Sequence, residues 1–124
     1  MIFVIGGSYQ GKWEFVKARF GLSDAELFVC DSKNVNLNAR AIAHIERFAL
    51  ACVQSGGEPK AFWEAHRAEL EDKILIADDV SCGVVPIDET LRAWREATGR
   101  ANNYLASEAK KVYRVFCGLE QELK

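Results

Sequence analysis

A chain of 124 residues is long enough for one compact domain, and we predict a single domain over residues 1–124. Hydrophobic residues make up 49% of it and charged residues 27%, a balance that favours a folded core over intrinsic disorder. The formal net charge of −2 argues against the basic surface of a nucleic-acid-binding protein, and no apolar run reaches the roughly 20 residues that span a bilayer.

The cysteines indicate the redox environment. Cys30, Cys52, Cys82 and Cys117 are scattered and form no C-x-x-C pair. This spacing supports neither a zinc site nor a disulfide framework. We therefore expect buried free thiols in a reducing, cytoplasmic environment.

The first part of the chain alternates apolar runs with a helical pattern. Residues 2–5 (IFVI) form a continuous apolar run, typical of a strand buried on both faces of a sheet. Residues 11–21 (GKWEFVKARFG) follow helical spacing and end at Gly21, a suitable residue after the last helical turn. Residues 26–31 (ELFVCD) predict a second buried strand that ends on an acidic residue.

The middle of the chain predicts two helices and a strand. From about Asn36 to Gln54 the spacing indicates one long helix. Its apolar stripe comprises Ile42, Ile45, Ala49 and Cys52. Residues 55–57 (SGG) end this helix, and Pro59 opens another, because the first helical turn needs no N–H from proline. Residues 73–79 (KILIADD) predict a third buried strand with acidic residues at its carboxyl end.

The last part predicts a loop, a helix and a strand. Residues 83–86 (GVVP) indicate the loop, and residues 88–111 indicate a helix interrupted at Gly99. The residues expected to face inward are Leu91, Trp94, Thr98, Ala101 and Leu105. Residues 111–118 predict a fourth strand, and the pattern does not decide the structure of the tail after it.

The order of these elements predicts the fold class. Strands that are continuous apolar runs, alternating with helices, indicate a parallel sheet covered on both faces. We expect a three-layer α/β sandwich with a mostly parallel sheet of about four to five strands.

The turn after the first strand carries the clearest functional motif. Gly6, Gly11 and Lys12 match G-x-x-x-x-G-K, between a predicted strand and a predicted helix. Glycines let backbone N–H groups face an anion, the helix N-terminus adds a positive dipole, and lysine neutralises phosphates. The predicted nucleotide-binding residues are Gly6, Gly7, Ser8, Tyr9, Gln10, Gly11, Lys12 and Trp13. The alternative is a tight strand-to-helix turn that binds nothing.

Trp13 departs from the full form of this motif. The residue after the lysine is normally Ser or Thr, whose hydroxyl coordinates Mg²⁺. An indole offers one N–H donor and no oxygen, so Trp13 cannot hold the metal. Phosphoryl transfer relies on positioning and charge neutralisation by that metal, so anion binding survives this change more easily than catalysis.

Acidic residues close two of the predicted strands. Asp31 follows the second strand, and Asp78 and Asp79 close the third. Ligands of open α/β sheets bind outside the carboxyl ends of the strands, so these carboxylates point towards the loop. Asp31 and Asp79 are the candidate Mg²⁺ ligands, weighed evenly against simple turn chemistry, and the turn role is favoured for Asp78.

Arginines on the last helix are candidates for substrate binding. Arg92 and Arg95 lie one turn apart, and Arg100 follows. Arginine clamps phosphate bidentately, which makes Arg95 and Arg100 candidate phosphate ligands. The alternative, favoured for Arg92, is surface pairing with the glutamates of the same helix.

The carboxyl-terminal residues resemble a known family. Residues 77–124 are similar to the last third of the adenosylcobinamide kinase / adenosylcobinamide-phosphate guanylyltransferase family of cobalamin biosynthesis, whose motifs are N-E-V-G-x-G-[IV]-V-P and R-x-[FW]-R-[DE]-x-x-G-R-x-N. The first is matched or conservatively replaced by Asp79, Val80, Gly83, Val84, Val85 and Pro86. The second is matched by Arg92, Trp94, Arg95, Glu96, Gly99, Arg100 and Asn102. The stretch GGSYQGK also resembles the family loop G-G-x-x-S-G-K-S.

The resemblance implies a P-loop fold and a function. It implies Mg²⁺ with ATP or GTP as cofactors, Lys12 as a catalytic residue, a corrinoid acceptor and a homo-oligomer. Two features depart from the family: Trp13 replaces the loop serine, and residues 21–31 leave no room for the segment with the guanylylated histidine. His44 and His66 lie on later predicted helices, and neither is carried over as that nucleophile.

Three functions remain open at this point. One is a compact relative that binds a purine nucleotide and phosphorylates a corrinoid-pathway alcohol. Another is a non-catalytic nucleotide or phosphate sensor or partner subunit, favoured by Trp13 and by the missing histidine segment. A purely structural interaction domain would bind no nucleotide at all.

Overall fold

The structure is a computed structural model that describes residues 1–80 and 88–124. The strands are β1 (Ile2–Gly6), β2 (Leu27–Val29), β3 (Ala41–Ala43), β4 (Ile74–Asp78), β5 (Lys111–Phe116) and β6 (Leu119–Glu122). The helices are α1 (Lys12–Phe20), α2 (Ile45–Gln54), α3 (Pro59–Ala65) and α4 (Glu89–Glu108), with short 3₁₀ turns at Asp24–Glu26 and Arg67–Leu70.

All six strands join one sheet in the order β2-β3-β4-β1-β5-β6. The neighbours from β2 to β5 are parallel, and β6 pairs antiparallel with β5. The predicted α/β fold with a mostly parallel sheet is therefore confirmed, with six strands in place of four or five. In the register of β1 with β4, Gly6 lies opposite Asp78, so both strands end at the same level.

Apolar layers cover both faces of the sheet, as the continuous apolar strands predict. Neighbouring residues of β1 point to opposite sides: Val4 packs with Phe15 and Val16 of α1, whereas Phe3 packs into the core beneath the other three helices. That second core includes Phe48 of α2 and the buried Trp63 of α3. The result is the three-layer arrangement.

The long helix predicted from Asn36 to Gln54 is wrong in its first half. Strand β3 lies between β2 and β4, and only then does α2 begin, at Ile45. Ile42 packs into one core cluster, and its two alanine neighbours pack into the other, a period of two rather than 3.6. A three-residue strand of small and apolar residues cannot be told from a helix by periodicity.

The second strand is less buried than predicted. β2 forms the edge of the sheet and pairs only with β3, so Val29 is 42% exposed. The sequence predicts a buried strand because its apolar run is continuous, but strand order decides burial. The thiol of Cys30, directly after β2, is fully buried.

Helix α4 runs from Glu89 to Glu108 without the predicted interruption. A side chain at Gly99 would meet no atom within 4 Å, so the glycine marks an open position and not a kink. Thr98 and Leu105 are buried as predicted, whereas Leu91, predicted to face inward, is 41% exposed.

The undecided tail forms β6. Cys117 and Gly118 connect β5 to β6 with φ angles of 51° and 75°, which suits a two-residue hairpin turn. Cys117 is exposed, contrary to the expectation of buried thiols, whereas Cys30 and Cys52 are free and buried. Cys82 and the predicted loop at 83–86 lie outside the described residues.

Candidate functional site

Residues 7–11 form a loop between the carboxyl end of β1 and the start of α1. Tyr9 and Gly11 have φ angles of 58° and 88°, so the chain curls before the helix begins. Within the described parts of the chain, the backbone N–H groups of Ser8, Tyr9 and Gly11 donate no hydrogen bond. A helix N-terminus preceded by free N–H groups favours an anion.

Gly6 lets two strands approach at the base of this loop. A Cβ atom at Gly6 would lie 2.4 Å from the carbonyl oxygen of Val115, which is closer than side chains tolerate. The Asp79 N–H also donates to the Gly6 carbonyl at 2.8 Å. The first motif glycine therefore fixes the loop against its neighbours β5 and β4.

The hairpin turn supports the loop from the side. The Gln10 side-chain oxygen accepts a hydrogen bond from the Cys117 N–H at 2.6 Å. The Gln10 carbonyl accepts another from the Gly118 N–H at 2.8 Å. Sequence reasoning misses this support, because the partners are more than 100 residues apart and the pattern leaves the tail undecided.

Lys12 is the first residue of α1 and is only 8% exposed. Its ammonium group donates to the Gly7 carbonyl at 2.6 Å and lies 2.7 Å from Asp78 Oδ1. The Ser8 hydroxyl donates to Asp78 Oδ2 at 3.0 Å. The sequence favours a turn role for Asp78, but the pairing of β1 with β4 makes it the ionic partner of Lys12.

The ion pair determines the protonation of Asp78. Burial by itself would raise the pKa of this carboxyl group, but the hydrogen bond and charge of Lys12, with the hydrogen bond from Ser8, outweigh it. The pKa of Asp78 is therefore lower than its usual value, and the carboxylate stays ionised at neutral pH. An anion in the loop would compete with this carboxylate for Lys12.

His44 and Glu46 extend this cluster. His44 lies between β3 and α2 with a φ angle of 56°, and its Nδ1 is 2.9 Å from Glu46 Oε2. Glu46 is 4% exposed, and its Oε1 accepts the Asp78 N–H at 2.9 Å. Sequence reasoning places both residues inside a long helix and so misses them. The available signal is an H-x-E pattern directly after a buried apolar run.

Lys12, His44 and Asp78 line a cleft of about 540 Å³. Its walls comprise residues 8–14 on one side and Ala43, His44, Arg47, Ile76 and Asp78 on the other. This volume falls within the range of small-molecule sites, about 300–1,000 Å³. All the predicted loop residues except Gly6 and Gly7 border the cleft.

Trp13 forms part of the cleft wall. Its indole N–H donates to Asp24 Oδ1 at 2.8 Å, and the Lys17 ammonium lies 5.6 Å from the ring centre. These contacts hold the indole against residues of its own helix and the following turn. The cleft therefore stays open beside the ring.

The predicted metal ligands lie away from Lys12. Asp31 is exposed and follows β2. Strand β2 lies three positions from β1 in the sheet, which corresponds to roughly 14 Å. Asp79 lines a separate cavity of about 200 Å³ with Arg114, on the β5 side of the loop. The carboxylate paired with Lys12 is instead that of Asp78, whose backbone N–H donates to Glu46.

The predicted phosphate ligands on α4 do not border the cleft. Arg100 is exposed and pairs with Glu58 at 3.0 Å, which matches the alternative of surface pairing. Arg95 is half-buried on the same helix. The α4 residue in contact with the cluster is Trp94, whose indole N–H donates to the Glu46 carbonyl at 2.8 Å.

Comparison with known proteins identifies the family. No helix among the described residues combines the length and apolar character needed to cross a bilayer. No curated protein sequence matches the chain. The family described as cobinamide kinase / cobinamide phosphate guanyltransferase matches residues 44–123, a stretch that includes His44, Glu46 and Asp78 and lies after the loop of residues 7–11. Because the match covers nearly two thirds of the chain, this protein belongs to that family.

Proposed function

We propose that the protein binds a purine nucleoside triphosphate, ATP or GTP, in the cleft beside β1 and transfers a phosphoryl group to a hydroxyl of a corrinoid. The observation that carries this proposal is the loop of residues 7–11, with free N–H groups and the buried ammonium group of Lys12 beside an open cleft. Membership of the family supplies the substrate classes.

Lys12 has the central part in this proposal. Its charge is compensated by Asp78 at 2.7 Å. A triphosphate offers more negative charge than one carboxylate, so we expect Lys12 to bind phosphate oxygens while the loop N–H groups bind the others. Fixed donors that stabilise the charge on the transferred group contribute most of the catalysis in phosphoryl transfer.

A metal that accompanies the nucleotide would find oxygen ligands on one side of the cleft. Trp13 offers none, but Asp78 Oδ2 and the Ser8 hydroxyl lie 3.0 Å apart and both border the cleft. Such an ion would neutralise phosphate charge and orient the transferred group. Asp31 is too far away in the sheet to contribute.

The test is nucleotide binding by the intact chain, measured by calorimetry with GTP and ATP, with and without Mg²⁺. We expect Lys12→Ala to lower the affinity at least tenfold, because it removes the buried charge. Lys110→Ala removes an equally charged but 76% exposed side chain far along the sequence, so it is the matched control. Unchanged binding in Lys12→Ala, in a variant whose circular dichroism shows it folded, would refute the proposal.

A non-catalytic sensor is the second candidate, and Trp13 favours it because the metal-binding hydroxyl is missing. Both candidates predict nucleotide binding, but only the kinase predicts transfer of labelled phosphate from ATP or GTP to cobinamide. Modest, Mg²⁺-independent binding without transfer would support the sensor. Guanylylation is not part of the proposed function, since only residues 21–26 separate α1 from β2.

A further inference from the structure

We infer that His44, Glu46 and Asp78 form a binding site for a divalent transition metal ion, of the class of Mn²⁺, Co²⁺ or Zn²⁺, at the side of the cleft. Its role beside the nucleotide rests on the proposed function, but its existence does not. Each residue offers one ligand atom, and these atoms all lie within 4.8 Å of one another.

The spacing of the ligand atoms suits a single ion. Two ligands bound at about 2.1 Å in tetrahedral geometry lie ~3.4 Å apart. His44 Nδ1 is 2.9 Å from Glu46 Oε2 and 3.9 Å from Asp78 Oδ2, so the two distances bracket that value. The three atoms all lie within 4.8 Å of one another, so side-chain movements of about 1 Å would complete the coordination.

The surrounding contacts orient these ligands. Glu46 is 4% exposed, and its second oxygen accepts the Asp78 N–H at 2.9 Å, which leaves Oε2 directed at His44. The Trp94 indole holds the Glu46 backbone through its carbonyl. Partners that bind the outer atoms of metal ligands in this way fix their orientation and raise their affinity.

The charge balance also favours a cation. The Asp78 carboxylate pairs with the Lys12 ammonium group, whereas the nearly buried Glu46 carboxylate faces the His44 imidazole. A nearly buried carboxylate is costly unless it is paired. Lys12 binds Asp78 Oδ1, and Oδ2, which accepts one hydrogen bond from Ser8, has a further lone pair for an ion on the side of His44.

The imidazole determines the class of metal. Mg²⁺ prefers oxygen ligands alone, whereas Mn²⁺, Co²⁺ and Zn²⁺ accept imidazole nitrogen with carboxylates. Three protein ligands leave positions open on the ion. Because the cluster borders the cleft, a phosphate oxygen of the nucleotide would fill such a position, and the ion would replace the one that a loop hydroxyl normally holds.

The test is Mn²⁺ binding by the nucleotide-free protein, followed by the loss of the free-ion electron paramagnetic resonance signal. We expect one ion per chain, and a loss of about tenfold or more in affinity for His44→Asn and Glu46→Gln. Asparagine tolerates the positive φ at this position, and glutamine keeps the acceptor for the Asp78 N–H. His66→Asn is the matched control, because His66 Nδ1 also lies 2.9 Å from a carboxylate, that of Glu69, and residues 1–80 and 88–124 offer no third ligand there.

A second measurement needs no variant. Mn²⁺ bound to His44 should show hyperfine coupling to an imidazole ¹⁴N nucleus in the unmodified protein. No uptake of Mn²⁺, uptake without nitrogen coupling, or equal losses in His66→Asn and His44→Asn would each overturn the inference. Because no nucleotide is present, failure here leaves the Lys12→Ala result on nucleotide binding intact, and the reverse also holds.

Discussion

Replacing Lys12 with methionine keeps most of the side-chain volume and removes the charge that pairs with Asp78. The two side chains are 8% and 18% exposed, so the pair is largely buried. Breaking such a pair by removing one partner costs about 3–5 kcal/mol. Asp78 keeps the hydrogen bond from Ser8 and some contact with solvent, so we expect the lower end, about 3 kcal/mol. For a chain of this length that loss lowers Tm by roughly 10 °C.

The assay is a double-mutant cycle in urea. The free energy of unfolding is measured for the unmodified protein, Lys12→Met, Asp78→Asn and the double variant. Because the asparagine removes the charge that Lys12→Met leaves unpaired, the double variant should lose less than the sum of the single variants, by about 2 kcal/mol.

An exposed pair provides the control for this cycle. Lys111 and Glu122 lie only 2.6 Å apart, but their side chains are 51% and 50% exposed. Lys111→Met with Glu122→Gln should show a much smaller coupling than the Lys12 and Asp78 variants, since water screens the pair. If the double variant loses as much free energy of unfolding as the Lys12→Met and Asp78→Asn variants lose together, to within about 0.5 kcal/mol, the two residues are not paired in solution and the description of the site would fail.

Three further predictions concern residues around the loop. Gln10→Ala removes the acceptor for the Cys117 N–H, so it should weaken nucleotide binding about fivefold, as measured by calorimetry. The free energy of unfolding in urea should fall by less than about 1 kcal/mol. Unchanged binding would show that the hairpin does not support the loop. Trp13→Ser restores a hydroxyl after the lysine and should raise Mg²⁺-dependent affinity for GTP about tenfold; no gain in calorimetry would mean that the site differs from the full motif at more than this position. Burial, helped by nearby carboxylates, raises the pKa of the Cys30 thiol to about 12, so in the native protein it should resist iodoacetamide at pH 8 while exposed Cys117 reacts; peptide mass spectrometry identifies the labelled thiol, and early labelling of Cys30 would contradict its burial.

The sequence predicts those parts of the fold that depend on local pattern. Continuous apolar runs identify strands β1 and β4, because residues buried on both faces leave no polar alternation. The apolar residues of β5 also identify it as a strand, although Arg114 and Phe116 are exposed. The helical spacing of α1 and the glycine that follows it, Gly21, identify that helix. Pro59, in the first turn of α3, identifies the start of that helix. The loop before α1 is recognisable because its glycines and lysine stand at fixed offsets within one stretch of chain.

Strand order does not follow from these patterns, and it determines which strands are buried and which residues meet at the candidate site. The pattern assigns β3 to a helix and predicts burial for β2, because three residues carry too little periodicity and burial depends on neighbours. Placing β4 beside β1 brings Asp78 to Lys12, and placing β3 beside β4 brings His44 and Glu46 to Asp78. A sequence shows which strands end on polar residues, but only hydrogen-bonded pairing of strands far apart in the chain determines which of those ends meet.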